Sequence, residues 1–210
     1  MDSGTEARRR AAETKRHRTR EALIEAARAR FGAAGWHGTR VEDIAADAGV
    51  GSATAFNHFN KQTLLGYAYA PLIEPLSTLA AADISAELPP TAALTRHVRD
   101  LAQIGRHHQN LTTALLYAVI EQASATSGPP QSGDPDDLRN IVPLPTPMAD
   151  LIRYGADVGE FHLPATAAEI AIYHTNALLL RIMLRPRETA KETAELILTQ
   201  TLPPMLHVSR

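Results

Sequence analysis

The fold is constrained most strongly by three short segments with helical periodicity that follow one another in residues 18–59. In the first two, apolar side chains recur every three or four residues, as on the buried face of an amphipathic helix. Their apolar positions are Leu23, Ala27, Phe31 and Ala34, followed by Val41, Ile44, Ala45 and Ala48. Gly35 and Gly49 come directly after these segments, where a helix end favours positive φ. Three short helices with a glycine-containing turn between the last two predict a helix-turn-helix at about residues 41–60.

Polar side chains mark the expected starts of these helices. Thr39 and Glu42 are three residues apart, so they predict a capping box that begins the second helix at about Arg40. Ser52 is expected to cap the third helix, and Asn60 the fourth.

The whole chain is predicted to be all-α. It contains 36 Ala and 24 Leu but only 12 Ile and 7 Val, so strong helix formers outnumber β-branched aliphatic residues. Apolar periodicity predicts six helices beyond the first three, which gives about nine in total. They are expected at about residues 63–82, 92–109, 111–125, 148–157, 166–184 and 188–201. Pro71 and Pro75 predict a kink or a break in the fourth helix. Residues 127–147, rich in Pro, Gly, Ser and Asp, are predicted to form a mobile loop.

Charge divides the chain into two unlike parts. The formal net charge is −2, but residues 1–61 hold 11 Lys and Arg against 8 Asp and Glu, whereas residues 62–210 hold 10 against 15. A basic end on an otherwise acidic chain is typical of nucleic-acid binding. We therefore expect a basic arm in residues 1–17, a DNA-binding domain in residues 18–65 and a larger helical domain in residues 66–210.

Several classes of active site lack the residues that they require. The chain has no cysteine, which excludes thiol catalysis, cysteine-ligated zinc and disulfides. It has no glycine-rich phosphate loop and no hydrolase motif, and the spacing of His97, His107 and His108 does not suit chelation from one helix face. We expect a protein that is not an enzyme and has no cofactor. No apolar stretch approaches the ~18 residues of a membrane span, so a soluble, cytoplasmic protein is expected.

The order and spacing of three motifs resemble the DNA-binding domain of TetR-type transcriptional regulators. The motifs are LIEAARARFGAAGW from Leu23, TRVEDIAADAGV from Thr39 and ATAFNHF from Ala53. The resemblance covers about residues 18–66. It implies a two-domain, all-α homodimer in which a helix-turn-helix domain binds DNA, while the larger domain binds a small ligand and dimerises through its last two helices.

The implied DNA contacts centre on the third helix, because a helix-turn-helix places its second helix in the major groove. Ala55 and Phe59 should face the core, and Asn57 is the expected base reader because its amide can pair with adenine. The expected contact residues are Thr39, Arg40, Ser52, Ala53, Thr54, Phe56, Asn57, His58 and Lys61. Phe56 stands where many family members have a tyrosine, so the phosphate contact of that hydroxyl should be missing.

Electrostatic attraction to DNA must come from outside the third helix, which carries no fixed positive charge. Lys61 is expected to reach a phosphate at the start of the fourth helix. Arg16, Arg18 and Arg20 of the basic arm are candidates to lie along phosphates or enter the minor groove. The alternative is a disordered basic tail.

The larger domain offers polar residues on otherwise apolar helices as candidates for a ligand pocket. They are Tyr67, His107, Tyr117, Glu121, Gln122, Tyr154, His174 and Asn176. Each of them can equally be a satisfied core or interface residue. Glu121 follows an apolar run, so its carboxylate should be paired or face the ligand. Trp36 is expected to pack in the core.

Apolar stripes on the last two helices predict the dimer interface, with packing inside the monomer as the alternative. The predicted interface residues are Ile170, Tyr173, Ala177, Leu178, Arg181, Leu184, Leu196 and Ile197. These features favour a dimeric repressor that a small-molecule effector releases from a palindromic operator. The alternative is a DNA-binding regulator without a small-molecule switch, either constitutive or controlled by a protein partner.

Overall fold

The architecture is all-helical over residues 3–125 and 134–206, which a computed structural model describes. These residues form ten helices rather than the predicted nine. In chain order they are α1 (Ser3–Ala34), α2 (Val41–Asp47), α3 (Ser52–His58), α4 (Lys61–Ser85), α5 (Pro90–His107), α6 (Gln109–Ala125), α7 (Leu138–Ile141), α8 (Pro145–Asp157), α9 (Ala167–Leu184) and α10 (Ala190–Met205). The all-α prediction is confirmed.

A small N-terminal domain forms where α2 and α3 pack together and α1 packs against α2 and α4. The predicted apolar stripes are buried except at their last positions, where Ala34 is exposed and Ala48 is half-buried. Phe31 stacks on Trp36 with ring centroids 5.9 Å apart, which confirms Trp36 as a core residue. Gly35 and Gly49 have φ of 67° and 66°, so both helix ends use the left-handed conformation expected of them.

Two of the three predicted caps are wrong. Arg40 occupies the N-cap of α2 without a side-chain cap, because the Thr39 hydroxyl donates instead to the Gly35 carbonyl at 2.8 Å. Gly51, not Ser52, occupies the N-cap of α3. The third prediction is confirmed, since the Asn60 side chain accepts from the Thr63 backbone N–H at 2.8 Å.

The first helix is much longer than predicted. It begins at Ser3 rather than at about Arg18, so the described part of the basic arm is helical and not a disordered tail. The segment is rich in Ala, Arg and Glu, which favour helix, and pairs such as Arg9–Glu13 and Arg10–Glu6 lie one turn apart.

The fourth helix joins the two domains without a break. It runs from Lys61 to Ser85 and contains both Pro71 and Pro75, so the predicted break is wrong, whereas the kink stays a prediction. Its first turns pack on α1, and later positions pack on α5 and α8. The predicted domain boundary therefore lies inside a single helix.

The larger domain is built around α5, which packs against α4, α8 and α10. The Arg106 side chain fixes the corner between α9 and α10, where it donates to the Arg185 carbonyl at 2.6 Å and pairs with Glu188 at 2.9 Å. The predicted mobile loop is wrong over residues 134–147, because α7 lies there and its first residue, Leu138, is fully buried. The remainder of that predicted loop, residues 127–133, lies outside the described residues.

Candidate DNA-binding surface and effector cavity

The third helix presents an uncharged face to solvent that combines polar side chains with the exposed ring of Phe56. Ala55 and Phe59 are buried against the domain core, as expected, because their spacing places them on one side of the helix. The exposed residues of this helix are Ser52, Ala53, Thr54, Phe56 and Asn57. His58 is half-buried beside Phe59, and burial, followed by the nearby charges of Arg16 and Arg20, lowers its pKa. The helix therefore carries no positive charge at neutral pH.

The cations around α3 are not equally available. Arg40 and the arm residues Arg16 and Arg18 are exposed. Arg20 is half-buried, with its guanidinium 4.2 Å from the Phe59 ring centroid and 4.4 Å from that of Tyr67. Its stacking on two rings holds the root of the arm against α3 and α4.

Two predicted DNA contacts are otherwise engaged. Thr39 is 1% exposed and its hydroxyl bonds the Gly35 carbonyl, so the side chain belongs to the domain core. The Lys61 ammonium donates to the Trp36 carbonyl at 2.7 Å and lies 4.0 Å from the centroid of that indole. Burial lowers the pKa of Lys61. In this conformation neither side chain is free to contact a phosphate.

The two domains meet at a polar junction formed by Trp36, Lys61 and Glu121. The Trp36 indole N–H donates to the Glu121 carboxylate on α6 at 2.6 Å. The negative charge of Glu121 also acts on Lys61, whose pKa it raises against the effect of burial. Nearby, Asn110 at the start of α6 donates to the Gly32 carbonyl of α1 at 2.9 Å. The Glu121 carboxylate is therefore paired with a residue of the N-terminal domain.

The larger domain contains a mostly apolar cavity of about 520 Å³ between α6, α7, α8 and α9, which we call the α6–α9 cavity. Leu115, Leu116 and Val119 form its α6 wall, and Ile172 and Leu179 stand on the α9 side. Thr175, Asn176 and Arg139 supply polar groups at the lining. The Arg139 guanidinium is held by Asp137, with its Nη2 2.7 Å from the carboxylate, so the pair adds no net charge.

The predicted ligand residues do not converge on one site. Asn176 alone among them lines the α6–α9 cavity; Tyr67, His107, Tyr117 and Tyr154 line four separate surface pockets. The Gln122 side chain bonds the backbone of Asp136 and Leu138, and the His174 ring bonds the Ile170 carbonyl at 2.8 Å. Sequence reasoning missed the apolar walls, because apolar side chains on a helix look alike whether they face a core or a cavity.

The dimer prediction needs a similar correction. Ile170, Leu178 and Ile197 are at most 7% exposed and pack inside the monomer. Ala177 and Arg181 are half-buried, and Arg181 pairs with Glu188. An exposed apolar face remains on the same two helices, formed by Tyr173, Leu180, Leu184 and Leu196, which we call the α9–α10 face.

Within the described residues, no helix is both long and apolar enough to cross a membrane.

Comparison with known proteins agrees with this architecture. Residues 23–68 match the model of the tetR family of bacterial regulatory proteins. No curated protein matches the chain.

Solved structures match over nearly the whole chain. Thermus thermophilus FadR, a TetR-family transcriptional repressor in complex with lauroyl-CoA, is 20% identical, with a TM-score of 0.69 and coverage of 91% of this chain and 97% of that one. RolR in complex with resorcinol is 17% identical, with a TM-score of 0.62 and 90% of both chains covered. SmeT, the repressor of the Stenotrophomonas maltophilia multidrug efflux pump SmeDEF, is 20% identical, with a TM-score of 0.56 and 90% and 91% covered.

At these identities the structural matches establish a shared fold, and the family model identifies the part of the chain that carries the helix-turn-helix. Residues 23–68 therefore carry a helix-turn-helix of the tetR family of bacterial regulatory proteins, in a chain that shares the fold of solved TetR-family structures.

Proposed function

We propose that this protein is a dimeric, sequence-specific transcriptional repressor of the cytoplasm that a small molecule releases from its operator. The observation that carries the proposal is the exposed face of α3, where Thr54 and Asn57 stand free while Ala55 and Phe59 fix the helix to its domain. A short helix held in this way fits the major groove, where amide and hydroxyl groups can distinguish base pairs.

A second copy of the chain is the proposed occupant of the α9–α10 face. Tyr173 and Leu184 are 68% and 66% exposed, and Leu180 lies between them on the same side of α9. An apolar stripe of this kind suits a symmetric helix bundle in which each copy buries the same residues. Such a dimer presents two copies of α3, so we expect a palindromic operator with half-sites about one turn of DNA, or a multiple of it, apart.

The α6–α9 cavity is the proposed effector site. Its volume of about 520 Å³ falls within the roughly 300–1,000 Å³ typical of small-molecule sites. The walls are apolar and the charge of Arg139 is neutralised by Asp137, so we expect a neutral, largely apolar molecule with a few hydrogen-bonding groups. The lauroyl-CoA and resorcinol bound by the structural relatives indicate that this fold accepts apolar and aromatic groups.

Helix α6 offers a direct route between the two sites. Leu115, Leu116 and Val119 face the cavity, while Glu121, about half a turn beyond Val119, holds Trp36 of the DNA-binding domain. A ligand that pushes on α6 from the cavity would also move Glu121, because a helix shifts as a rigid element. Trp36 would follow through its hydrogen bond to Glu121. We propose that this movement changes the separation of the two α3 helices in the dimer.

The proposal is tested first by selecting bound DNA from a random pool with the purified protein. We expect enrichment of a palindrome with two related half-sites, and enrichment of no sequence would refute sequence-specific regulation. Compounds of the expected class are then screened for release of that operator.

A variant that fills the cavity separates effector binding from DNA binding. Val119→Trp should abolish release by the compound while operator affinity stays within about threefold of the parent, because the added ring occupies the ligand volume. Ile120→Trp is the matched control, since the neighbouring Ile120 is 47% exposed. Undiminished release in Val119→Trp would place the effector elsewhere. If no compound releases the operator, regulation without a small-molecule switch becomes the better account.

A further inference from the structure

The first four turns of α1 extend beyond the packed domain. Residues 5–18 are exposed at every position, and burial begins only at Thr19 and Arg20. At 1.5 Å per residue, the extension from Thr5 to Arg20 is about 23 Å long. The structure thus provides a free helix, which we call the arm helix, attached to the domain at Arg20.

Charges are segregated around the arm helix. Its acidic residues already have partners on their own side: Glu6 pairs with Arg10, Glu13 with Arg9 and Glu21 with His17. Within the part of the chain that the structure describes, the exposed cations Arg8, Lys15, Arg16 and Arg18 have no acidic partner, and all but Arg16 lie on one side of the helix. We call Arg8, Lys15 and Arg18 the cationic stripe.

The stripe occupies one side of the arm helix. At about 100° per residue, Arg8, Lys15 and Arg18 fall within about 80° of one another, and the acidic residues centre roughly 150° away. The partnered side is nearly neutral, and Arg16 lies between it and the stripe, about 80° from Arg8. Most of the unpaired positive charge of the arm helix is therefore on the side of the stripe. Such a stripe suits a partner whose negative charges form a continuous line.

The root of the arm helix lies beside the recognition helix. Arg20 stacks on Phe59, which directly follows α3, and the charges of Arg16 and Arg20 act on His58, the last residue of α3. DNA bound against α3 would therefore pass close to the point where the arm helix leaves the domain. The charge pattern and this position point to the same partner.

We propose that the cationic stripe binds the phosphates of duplex DNA that flank each operator half-site. The inference rests on the proposed DNA-binding function and adds a second, sequence-independent contact to it. Arg8 and Arg18 are ten residues apart, which corresponds to about 15 Å of helix. At about 3.4 Å per base pair, the arm helix can follow roughly four to five base pairs of flanking duplex.

The test compares the full-length protein with two triple variants on the selected operator. Arg8→Gln/Lys15→Gln/Arg18→Gln removes the stripe while it keeps good helix formers. Arg99→Gln/Arg185→Gln/Arg187→Gln is the matched control, because these three arginines of the larger domain are exposed and the net charge changes equally. Circular dichroism confirms equal helix content in the three proteins.

Binding is measured from 50 to 300 mM salt on duplexes that end at the operator or continue for about eight base pairs on each side. We expect the stripe variant to lose affinity on the long duplex and to show a salt slope that is shallower by about 0.9 per lost phosphate contact, up to about 5 for a dimer. The control variant should keep the parent slope. The parent should also bind the long duplex better than the short one, and the stripe variant should not.

Equal slopes for the parent and the stripe variant, or no effect of flank length on the parent, would overturn the inference. Its failure can be told apart from failure of the proposed function. If the parent prefers the operator to random DNA but neither readout changes, the stripe has no role at the operator. If the parent shows no preference for any sequence yet its salt slope depends on the stripe, specific regulation fails and phosphate binding stands.

Discussion

The surface of α3 and the α9–α10 face differ in the chemistry that they expose. The α3 surface presents the small polar groups of Thr54 and Asn57 beside one large apolar side chain, Phe56, whereas large side chains such as Tyr173, Leu180 and Leu184 make up the α9–α10 face. Polar side chains can bond the hydrated edges of base pairs, but large apolar side chains gain free energy only when a partner removes them from water. The contrast supports the two partners proposed above, DNA for the α3 surface and a second copy of the chain for the α9–α10 face.

The largest expected effect comes from placing charge on the apolar face. Leu180→Glu/Leu184→Glu should convert the dimer into monomers, and operator affinity should fall at least about a hundredfold because the two half-sites are no longer bound together. Analytical ultracentrifugation and a titration with operator DNA measure the two effects. Leu79→Glu/Val158→Glu is the control, since these residues are also exposed and apolar but lie elsewhere. A dimeric double variant that binds normally would remove this face from the interface.

Acidification should lower the stability of the larger domain through protonation of His97. This side chain is 5% exposed, its Nε2 has no hydrogen-bond partner among the described residues, and burial lowers its pKa to about 4. The unfolded chain takes up the proton at about pH 6.5, so the free energy of unfolding falls as the pH drops from about 6.5 to 4, by about 3 kcal/mol in total.

His97→Leu should flatten this dependence, as urea unfolding at several pH values would show. His17→Gln, a change at an exposed histidine of α1, should leave it unaltered. An unchanged pH profile in His97→Leu would mean that other groups cause the loss.

On the α3 surface, Asn57→Ala should reduce specificity more than general affinity. We expect the preference for operator over random DNA to fall by about 1–3 kcal/mol, because the side-chain amide no longer distinguishes a base pair. Competition titrations at fixed salt measure the preference, and affinity for random DNA serves as the internal control. Equal weakening on both DNAs would show that Asn57 contributes no base discrimination.

A substitution at the polar junction between the two domains should give the smallest effect. Glu121→Ala removes the carboxylate that holds Trp36, so the change in operator affinity caused by the effector should shrink by about 1 kcal/mol, or about fivefold. Operator titrations with and without effector measure this change. Glu74→Ala, at an exposed carboxylate of α4, is the control. Full effector response in Glu121→Ala would exclude the junction from the transmission route.

The N-terminal domain and the larger domain differ in how far the sequence predicts them. Gly35, Gly49, Ala55 and Phe59 could be placed correctly because turns and short amphipathic helices depend on residues near in sequence. The cavity depends on where α6 crosses α9, and no local pattern contains that information. Leu138 shows the same limit: a segment rich in Pro and Asp forms α7 because distant helices bury its leucine.

Polar residues of the larger domain misled prediction for a related reason. Glu121 and Gln122 are adjacent on α6, yet one bonds Trp36 of the other domain and the other bonds the backbone before α7. Both satisfy groups that are far away in the chain. The Thr39 hydroxyl differs, because it donates to the Gly35 carbonyl only four residues earlier and a local bond replaces the predicted cap. The partners of Glu121 and Gln122, in contrast, are set by tertiary structure.

The central claim, that α3 makes this protein a sequence-specific DNA-binding regulator, is tested most directly by one ratio. Affinity for the selected operator is divided by affinity for a scrambled duplex of equal length at physiological salt. The account predicts a ratio of at least about 10³, the lower end for specific DNA-binding proteins. A ratio close to one would contradict it, because α3 would then contribute nothing beyond attraction to phosphates.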